Sequence, residues 1–333
     1  MILILTDKND IHAETVIQKL ILEGLPFYRF NLDVESLHKT FTTFSDGRWK
    51  VIQNEVTLEP LDITCVWSRR TFVELLLNEQ YDQSVDFKIW KNEWNKVLLG
   101  IYISLRDKQW LNPWRKAYEA ENKYLQMEIA IKHGFNVPPT ICSNIKTELI
   151  SFARKFDNVV LKLMHQDFYK MESGEFKGLY VNVITAQDLN SFKEIEENPI
   201  VLQKYIEKDF EVRYTAIGDE HFACKIESQK SEHAKIDWRR YDIPNTPHSK
   251  IEPPPHIIKK VSLFMKDLSL EYGALDFVVG KDNEWHFLEI NSMGQFLWIE
   301  DLSGHDITGA IINWFKKHLT LTLNKNNNES IRN

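Results

Sequence analysis

Ala274-Leu275-Asp276-Phe277-Val278-Val279 is followed, after a turn at Asp282-Asn283, by the second apolar segment Trp285-His286-Phe287-Leu288-Glu289-Ile290-Asn291. Two such segments joined by a short polar turn predict an antiparallel β-hairpin. Because side chains alternate between the faces of a strand, we expect Asp276, Glu289 and Asn291 to share one face. We expect the apolar residues to pack on the other face: Leu275, Phe277, Leu288 and Ile290.

The shared polar face is a candidate metal site. Carboxylate and amide oxygens are the ligands that Mg²⁺ prefers, and this ion keeps part of its water shell and completes its octahedron with phosphate oxygens. Asp276, Glu289 and Asn291 are therefore candidate Mg²⁺ ligands. The alternative is a solvated hairpin face that carries ordinary acids.

Two lysines also suggest an anionic ligand. Lys162 lies inside the predicted strand Val159–Met164, and Lys123 lies in a predicted helix from Lys116 to His133 that ends at Gly134. A lysine in a central strand is costly unless an anion meets its ammonium group, and a nucleotide phosphate is such an anion. The alternative is a lysine that reaches solvent from an edge strand.

The composition limits the class of protein. The chain has 333 residues, 43% of them hydrophobic, and a formal net charge of -7, which suits a folded chain of two or three domains and argues against general nucleic-acid binding. No apolar run approaches the roughly 18 residues needed to cross a bilayer, so no membrane segment is expected and the predicted location is cytoplasmic. Its three cysteines show no CxxC spacing and suggest neither disulfides nor a zinc site.

The order of predicted elements indicates a mixed α/β fold. Near the N-terminus, a strand (Ile2 to Leu5), a helix and a second strand start an α/β layer. Leu111-Asn112-Pro113-Trp114 breaks the chain after a long helix, because proline disfavours a helical conformation in the residue before it. We place a domain boundary there. Thr185-Ala186-Gln187-Asp188 predicts the capping box of a helix that ends before Pro199, and the last third is rich in strands.

Six separate residues or short motifs follow one another along the chain: Lys123, Lys162, Gln203-Lys204-Tyr205-Ile206, Glu211-Val212-Arg213, Asp276, and Glu289-Ile290-Asn291. Over about residues 114–315 this order resembles the ATP-grasp superfamily, whose members use MgATP to activate a carboxylate as an acyl phosphate and join it to a nucleophile. The resemblance implies α+β lobes with the nucleotide between them.

The resemblance also implies roles for individual residues. Lys123 and Lys162 would contact phosphate and adenine-side groups, and the connector Gln203, Lys204, Tyr205 and Ile206 would bind adenine through its backbone. Glu211 would bind the ribose, and Asp276, Glu289 and Asn291 would hold Mg²⁺. Arg213 would stabilise the transferring phosphoryl group or the acyl phosphate, and Lys162 would orient phosphates. A loop from Gln166 to Gly178 would cover the phosphates.

Three further motifs look like those of the graspetide, or microviridin-type, peptide macrocyclases: Trp67-Ser68-Arg69-Arg70, Asp237-Trp238-Arg239-Arg240 and Asn291-Ser292-Met293-Gly294-Gln295. The last departs from the expected Asn-Pro-x-Gly-Gln at Ser292. Arg239 and Arg240 are candidate catalytic residues, since guanidinium groups bind phosphates and carboxylates bidentately. The alternatives are a surface pair at Arg69-Arg70, internal pairing of Arg239 and Arg240 with Asp237 or Asp242, and Trp238 and Trp298 as packing residues.

The resemblance implies four segments. They are an N-terminal pre-ATP-grasp α/β domain at 1–112, a central ATP-grasp lobe at 113–199, a C-terminal lobe with the Mg²⁺ site at 200–322, and a polar tail at 323–333.

The implied partner is a ribosomal precursor peptide made of leader and core, and the implied assembly is a homodimer. The implied reaction is the linking of core Asp or Glu side chains to Ser, Thr or Lys. Two alternatives remain, a ligase that joins a separate amino acid or amine, as the ribosomal-protein glutamate ligases do, and a non-catalytic nucleotide-binding or peptide-binding module.

Overall fold

A computed structural model describes residues 1–81, 84–156, 158–164, 168–170, 174–178, 181–192, 195–240 and 242–330. The side chains at 168–170, 176–178, 240 and 321–330 lie outside this description. None of the described helices is both long enough and apolar enough to cross a membrane.

The N-terminal part is an α/β layer with a small antiparallel sheet beside it. A parallel sheet has the order β2-β1-β6-β7, and β3, β4 and β5 form the antiparallel sheet. The elements are β1 (Ile2–Thr6), α1 (Ile11–Leu22), β2 (Phe27–Asn31), α2 (Val34–His38), β3 (Phe41–Ser45), β4 (Arg48–Gln53), β5 (Val56–Leu58), β6 (Cys65–Ser68), α3 (Val85–Ser104) and β7 (Gln109–Leu111).

The central part contains an antiparallel sheet and a hairpin. The sheet has the order β12-β9-β13-β8, and β10 pairs with β11. The elements are α4 (Trp114–Ala120), α5 (Lys123–Lys132), β8 (Thr140–Ser143), α6 (Lys146–Phe156), β9 (Val159–Lys162), β10 (Phe168–Lys170), β11 (Phe176–Gly178), β12 (Asn182–Ile184), α7 (Ala186–Ser191) and β13 (Ile200–Lys204).

The C-terminal part is built on an antiparallel sheet with the order β16-β15-β14-β17-β18. One face packs on α5 and α8, and the other packs on α9 and α10 and through them on α1 of the N-terminal layer. The elements are β14 (Lys208–Ile217), β15 (Glu220–Ile226), β16 (His248–Ile251), α8 (Pro255–Leu268), β17 (Tyr272–Gly280), β18 (Trp285–Asn291), α9 (Leu297–Ser303) and α10 (Ile307–Ser330).

This arrangement confirms the predicted α/β class. The parallel N-terminal layer and the two antiparallel lobes are separate sheets, and β9, which carries Lys162, pairs on both sides. The predicted lysine in a central strand is therefore observed. The segment boundaries stay predictions, and the pairing of β13 with β8 and β9 favours a boundary after Lys204 rather than after Pro199.

Two predicted helices differ from the sequence pattern, one by an interruption and one by an earlier end. The helix expected from Lys116 to His133 is divided into α4 and α5, because the Asn122 side chain accepts hydrogen bonds from the backbone of Tyr124 and Leu125 as an N-cap. Lys123 is consequently the first residue of α5. The capping box at Thr185 is present, but α7 ends at Ser191 because Phe192 adopts an extended conformation.

The Gln166 to Gly178 loop is described only in part. Strands β10 and β11 form a hairpin with Phe168 opposite Gly178. Gln166 and several other residues of the predicted phosphate-covering loop lie outside the described residues, so its role stays a prediction.

Candidate functional site

Strands β17 and β18 place the two candidate acidic ligands opposite each other. Asp276 pairs with Glu289, and Ala274 pairs with Asn291. The register then shifts, so that Phe277 faces Phe287 rather than Leu288. Leu288 therefore lines a cleft and does not pack in the core, contrary to the prediction. The extra residue forms a β-bulge, which keeps both Phe277 and Phe287 buried while Glu289 still faces Asp276.

Arg213 on β14 completes this group from the next strand. Arg213 pairs in register with Asp276, and its Nη1 atom lies 3.4 Å from Asp276 Oδ1. Both residues are 7% exposed. Within the described part of the chain, Arg213 Nε, Arg213 Nη1 and Asp276 Oδ1 have no hydrogen-bond partner although they are buried. Buried polar atoms without partners are costly, so these atoms indicate a place for a bound ligand.

Cations surround Glu289. Its carboxylate accepts a hydrogen bond from Lys123 Nζ, and Arg239 Nη1 lies 3.6 Å from Glu289 Oε1. Burial alone would raise the pKa of Glu289, but Lys123, Arg239 and Lys162 outweigh burial and hold that pKa well below its usual value. Glu289 is therefore ionised at neutral pH. Burial raises the pKa of Asp276 to about 6, even with Arg213 beside it.

Lys162 is the cation most affected by burial. Burial lowers the pKa of Lys162 to about 8, and the positive charges of Lys123 and Arg239 act in the same direction, while Glu289 acts against them. An anion bound beside the ammonium group would stabilise its charged form. The position fits the predicted phosphate-contacting role, which stays a prediction.

Asp237 holds Arg239 and joins two lobes. Arg239 donates to Asp237 through Nε and Nη2, both at 2.9 Å, and Asp237 Oδ2 also accepts from Val181 N in the central lobe at 3.2 Å. Internal pairing with Asp237 was one alternative for Arg239, and it coexists with the approach of Arg239 to Glu289. Arg240 lies in the same short 3-10 helix, Trp238–Arg240, but its side chain is outside the described residues.

A first cleft of about 640 Å³ lies between the central and C-terminal lobes. It brings together most of the predicted nucleotide-contacting residues: Lys162, Gln203, Lys204, Tyr205, Ile206 and Glu211. Asp237, Arg239, Asp276 and Glu289 close one end of it. Lys123 does not line this cleft, but it donates a hydrogen bond to Glu289, which does.

The sequence pattern did not identify Lys208 in the first cleft. Lys208 Nζ donates to Glu211 Oε1 at 2.7 Å and to the carbonyl of Ile236 at 2.9 Å. Burial raises the pKa of Glu211, and Lys208 opposes that rise. The spacing of three residues gave no signal, because residues three apart in a regular strand face opposite sides, and only the register shift between Lys208 and Phe210 brings Lys208 and Glu211 together.

A second, more polar cleft of about 940 Å³ adjoins the first. The two clefts share Trp238, Arg239, Asp276 and Glu289 as a common wall. The second cleft is also lined by Arg69 and Arg70 of the first of the three predicted motifs, by Asn291, Met293, Gly294 and Gln295 of the third, and by Arg213 and Trp298. Arginine side chains therefore face it from both the N-terminal layer and the C-terminal lobe.

Arg69 and Arg70 are not a surface pair. Arg69 is 4% exposed, and it binds Asp10 Oδ2 at 3.1 Å and the carbonyl of Met293 at 2.9 Å. Arg70 pairs with Asp7 at 2.9 Å and Glu74 at 3.4 Å. Arg69 therefore fixes the wall of the second cleft, and Arg70 lies nearer to its opening.

The loop after Asn291 is held from several sides. Ser292 donates both its backbone N–H, at 2.9 Å, and its hydroxyl, at 2.6 Å, to Glu121 Oε1. Asn112 Nδ2 donates to the carbonyl of Ser292 at 2.7 Å. At the end of the loop, Phe296 N donates to His12 Nδ1 at 3.5 Å. These contacts fix the loop between the N-terminal layer and the C-terminal lobe.

The donor set at the common wall fits a hard cation. Asp276, Glu289 and Asn291 all line the second cleft, and Asp276 Oδ1 has no hydrogen-bond partner among the described residues. No group of three or more His, Cys, Asp or Glu side chains in the described ranges could hold a metal ion. Two carboxylates and one amide leave coordination positions for water and phosphate oxygens, as Mg²⁺ prefers. The residues present therefore fit Mg²⁺ together with a nucleotide.

Comparisons with known proteins agree with this geometry. A family model described as the MvdD pre-ATP grasp domain matches residues 1–118. A RiPP-associated ATP-grasp ligase of Chryseobacterium gregarium, solved in complex with ADP and a leader and core peptide, is 29% identical with a TM-score of 0.83, over 93% of this chain and 94% of that chain.

Two macrocyclases from Microcystis aeruginosa MRC are also similar. MdnC, solved with precursor peptide MdnA, is 26% identical with a TM-score of 0.80, over 93% of this chain and 98% of that chain. MdnB is 25% identical with a TM-score of 0.75, over 93% of this chain and 97% of that chain. No curated protein sequence matches the chain significantly. The chain thus has the fold of the ATP-grasp ligases with an MvdD-type pre-ATP-grasp region at its N-terminus, and it resembles the RiPP-associated ligases and microviridin macrocyclases.

Proposed function

We propose that the chain is an ATP-dependent macrocyclase of a ribosomal precursor peptide. It would phosphorylate Asp or Glu side chains in the core of that peptide and close intramolecular ω-ester bonds to Thr or Ser, or ω-amide bonds to Lys. The observation that carries the proposal is the common wall, where Arg239, Asp276 and Glu289 face both clefts. A phosphoryl group in the first cleft and a carboxylate in the second could meet there.

MgATP, when bound, supplies the phosphoryl group that turns the carboxylate into an acyl phosphate with a good leaving group. The first cleft offers Lys162 and Lys208 as cations and Gln203 to Ile206 as a connector. The ADP in the Chryseobacterium gregarium structure supports a nucleotide as a ligand.

The second cleft would bind and orient the peptide. Arg70 and Arg213 present guanidinium groups to it, and such groups hold carboxylates and phosphates in fixed geometry. Arg213 would stabilise negative charge on the transferring phosphoryl group and on the acyl phosphate, and its position on the wall of the second cleft supports this role. A hydroxyl or amine of the same peptide would then attack the acyl carbonyl and expel phosphate.

The peptides bound to the Chryseobacterium gregarium ligase and to MdnC support a peptide with a leader and a core as the partner. A homodimer follows from the resemblance alone and a cytoplasmic location from the sequence alone, and both stay predictions.

The test is a reaction of the purified enzyme with MgATP and the candidate precursor peptide encoded beside its gene. Mass spectrometry should show the loss of one water per ring, with one ATP converted to ADP for each. Asp276→Asn is the inactive control. A peptide that gains the mass of an added amino acid or amine would instead identify an intermolecular ligase. ATP conversion that does not respond to peptide would exclude the macrocyclase.

A further inference from the structure

Two tryptophans from distant segments meet at Arg213. Trp238 comes from the connection between β15 and β16, and Trp298 comes from the start of α9. Their rings stack with centroids 4.6 Å apart and planes inclined by 29°. Arg213 Cζ lies 5.4 Å from the Trp238 ring centroid and 5.6 Å from that of Trp298. Both tryptophans also line the second cleft.

Aromatic faces hold a guanidinium group differently from a carboxylate. They attract its positive charge through the ring quadrupole without accepting its N–H groups in conventional hydrogen bonds. A second carboxylate would occupy those donors and lower the net charge. The observed contacts leave Arg213 Nε and Nη1 without hydrogen-bond partners among the described residues, while Asp276 is 3.4 Å from Nη1.

We infer that Trp238 and Trp298 are positioning residues that hold the Arg213 guanidinium in place at the wall of the second cleft, where its charge would meet the transferring phosphoryl group. This inference rests on the role proposed for Arg213 and goes beyond it by naming what fixes its geometry. Trp298 is itself fixed, because His248 meets it edge to face at 5.7 Å and 86°. A preorganised cation needs no reorganisation when charge develops on the substrate, which is the condition for strong electrostatic stabilisation.

The alternative is that the two rings pack only against each other, or that they stack on a substrate side chain. An experiment without peptide separates these cases. MgADP binding is measured by calorimetry with and without aluminium fluoride, which mimics a transferring phosphoryl group, and the ratio of the two affinities reports the contribution of Arg213. Trp298 is the better position to vary, because Trp238 also lines the first cleft.

Trp298→Leu should reduce the aluminium fluoride ratio by about tenfold, the size of a desolvated cation–π contact, and should leave MgADP affinity within about twofold. Trp298→Phe keeps an aromatic face and should retain the ratio within about twofold. In an Arg213→Ala background, the same Leu substitution should change the ratio by less than about twofold, because coupled residues are not additive. Trp49→Leu, at a buried tryptophan of β4 away from both clefts, controls for general destabilisation and should leave the ratio unchanged.

Equal losses from Trp298→Leu with and without Arg213 would overturn the inference, as would equal losses in the Leu and Phe variants. A wild-type ratio near one would also overturn it, because Arg213 would then not face the transferring group. Since no peptide is present, these outcomes do not depend on whether the enzyme closes rings. Failure of the macrocyclase proposal would appear only in the reaction with precursor peptide.

Discussion

The two clefts differ in whether their polar and charged side chains have hydrogen-bond partners. In the first cleft, Lys208 binds Glu211 at 2.7 Å and Gln203 binds Thr140 at 3.0 Å. In the second cleft, Arg213 and Asp276 approach each other at 3.4 Å, and both retain buried atoms without hydrogen-bond partners in the described part of the chain.

This difference indicates that the second cleft, and not the first, lowers the stability of the fold. Internally paired side chains give the first cleft a fixed shape that needs no ligand to be stable. Buried polar atoms without hydrogen-bond partners at the second cleft cost free energy that a bound ligand would recover, and such destabilised groups are typical of catalytic sites. Removing an internally paired side chain of the first cleft, such as Lys208, should therefore cost stability, whereas removing Asp276 should cost function without a loss of stability.

The largest effect is expected from Asp276→Asn. Loss of this carboxylate removes a candidate metal ligand and the charge opposite Arg213, so turnover should fall about 1,000-fold. Stability at pH 7 should be unchanged or higher, because burial raises the pKa of Asp276 to about 6 and its ionised form is costly. Asp219→Asn, at a 94% exposed side chain, is the control. A clear loss of stability together with wild-type turnover would contradict the comparison.

Arg69→Ala should have the next largest effect, and this effect should be on the free energy of unfolding rather than on the reaction. It leaves Asp10, with a 1% exposed side chain, as an unpaired buried charge, which should cost about 3 kcal/mol of unfolding free energy. Arg70→Ala, at a 32% exposed side chain, should cost less than about 1 kcal/mol and should impair peptide ligation. Urea unfolding of both variants tests this, and equal destabilisation would show that the two arginines have the same role.

Acid should weaken the wall behind the second cleft. Burial lowers the pKa of His12 to about 4, with Arg69 adding to the effect. The unfolded chain therefore takes up a proton near pH 6.5 that the folded chain takes up only near pH 4. Stability from neutral His12 is present above pH 6.5 and is lost as pH falls towards 4, by roughly 3 kcal/mol. In His12→Gln, the unfolding free energy measured with urea should differ less between pH 7 and pH 4.5 than it does in the wild type.

The smallest effect is expected at Lys162 in the first cleft. Lys162→Met should weaken MgADP binding about tenfold, the order expected for one charge-assisted contact, and should leave the fold as stable or slightly more stable. Because burial lowers the pKa of Lys162 to about 8, wild-type affinity should fall between pH 7 and pH 9 as the ammonium group loses its proton. Calorimetry should find that this fall is absent in the Met variant; identical pH profiles would show that Lys162 does not contact the nucleotide.

Local patterns predicted much of the fold. Alternation along β17 and β18 placed Asp276 and Glu289 on one face, and apolar neighbours placed Lys162 in a central strand. The bulge at Leu288 was not predictable in this way. It depends on Phe287 packing against Phe135, with ring centroids 5.4 Å apart. Phe135 lies about 150 positions away in sequence, and cores generally join such remote segments.

The sequence predicted which residues belong to the site, but it did not predict which residues they contact. Motif order brought Arg69 and Arg239 into consideration, but their actual contacts are set by tertiary structure. Arg69 binds Asp10 and the carbonyl of Met293, which lie far from it in sequence, and so it supports the cleft rather than lining a free surface. Lys208 was missed because its pairing with Glu211 depends on burial of both side chains.

Ser292 has a consequence for the evolution of this site. A proline at this position, as the resemblance leads one to expect, has neither the N–H nor the hydroxyl that Ser292 donates to Glu121. Glu121 would then lose both of these donors and would be free to turn towards the second cleft, which it lines. Positions 121 and 292 are therefore expected to co-vary among homologues, with glutamate at 121 accompanying serine at 292 and a different side chain accompanying proline.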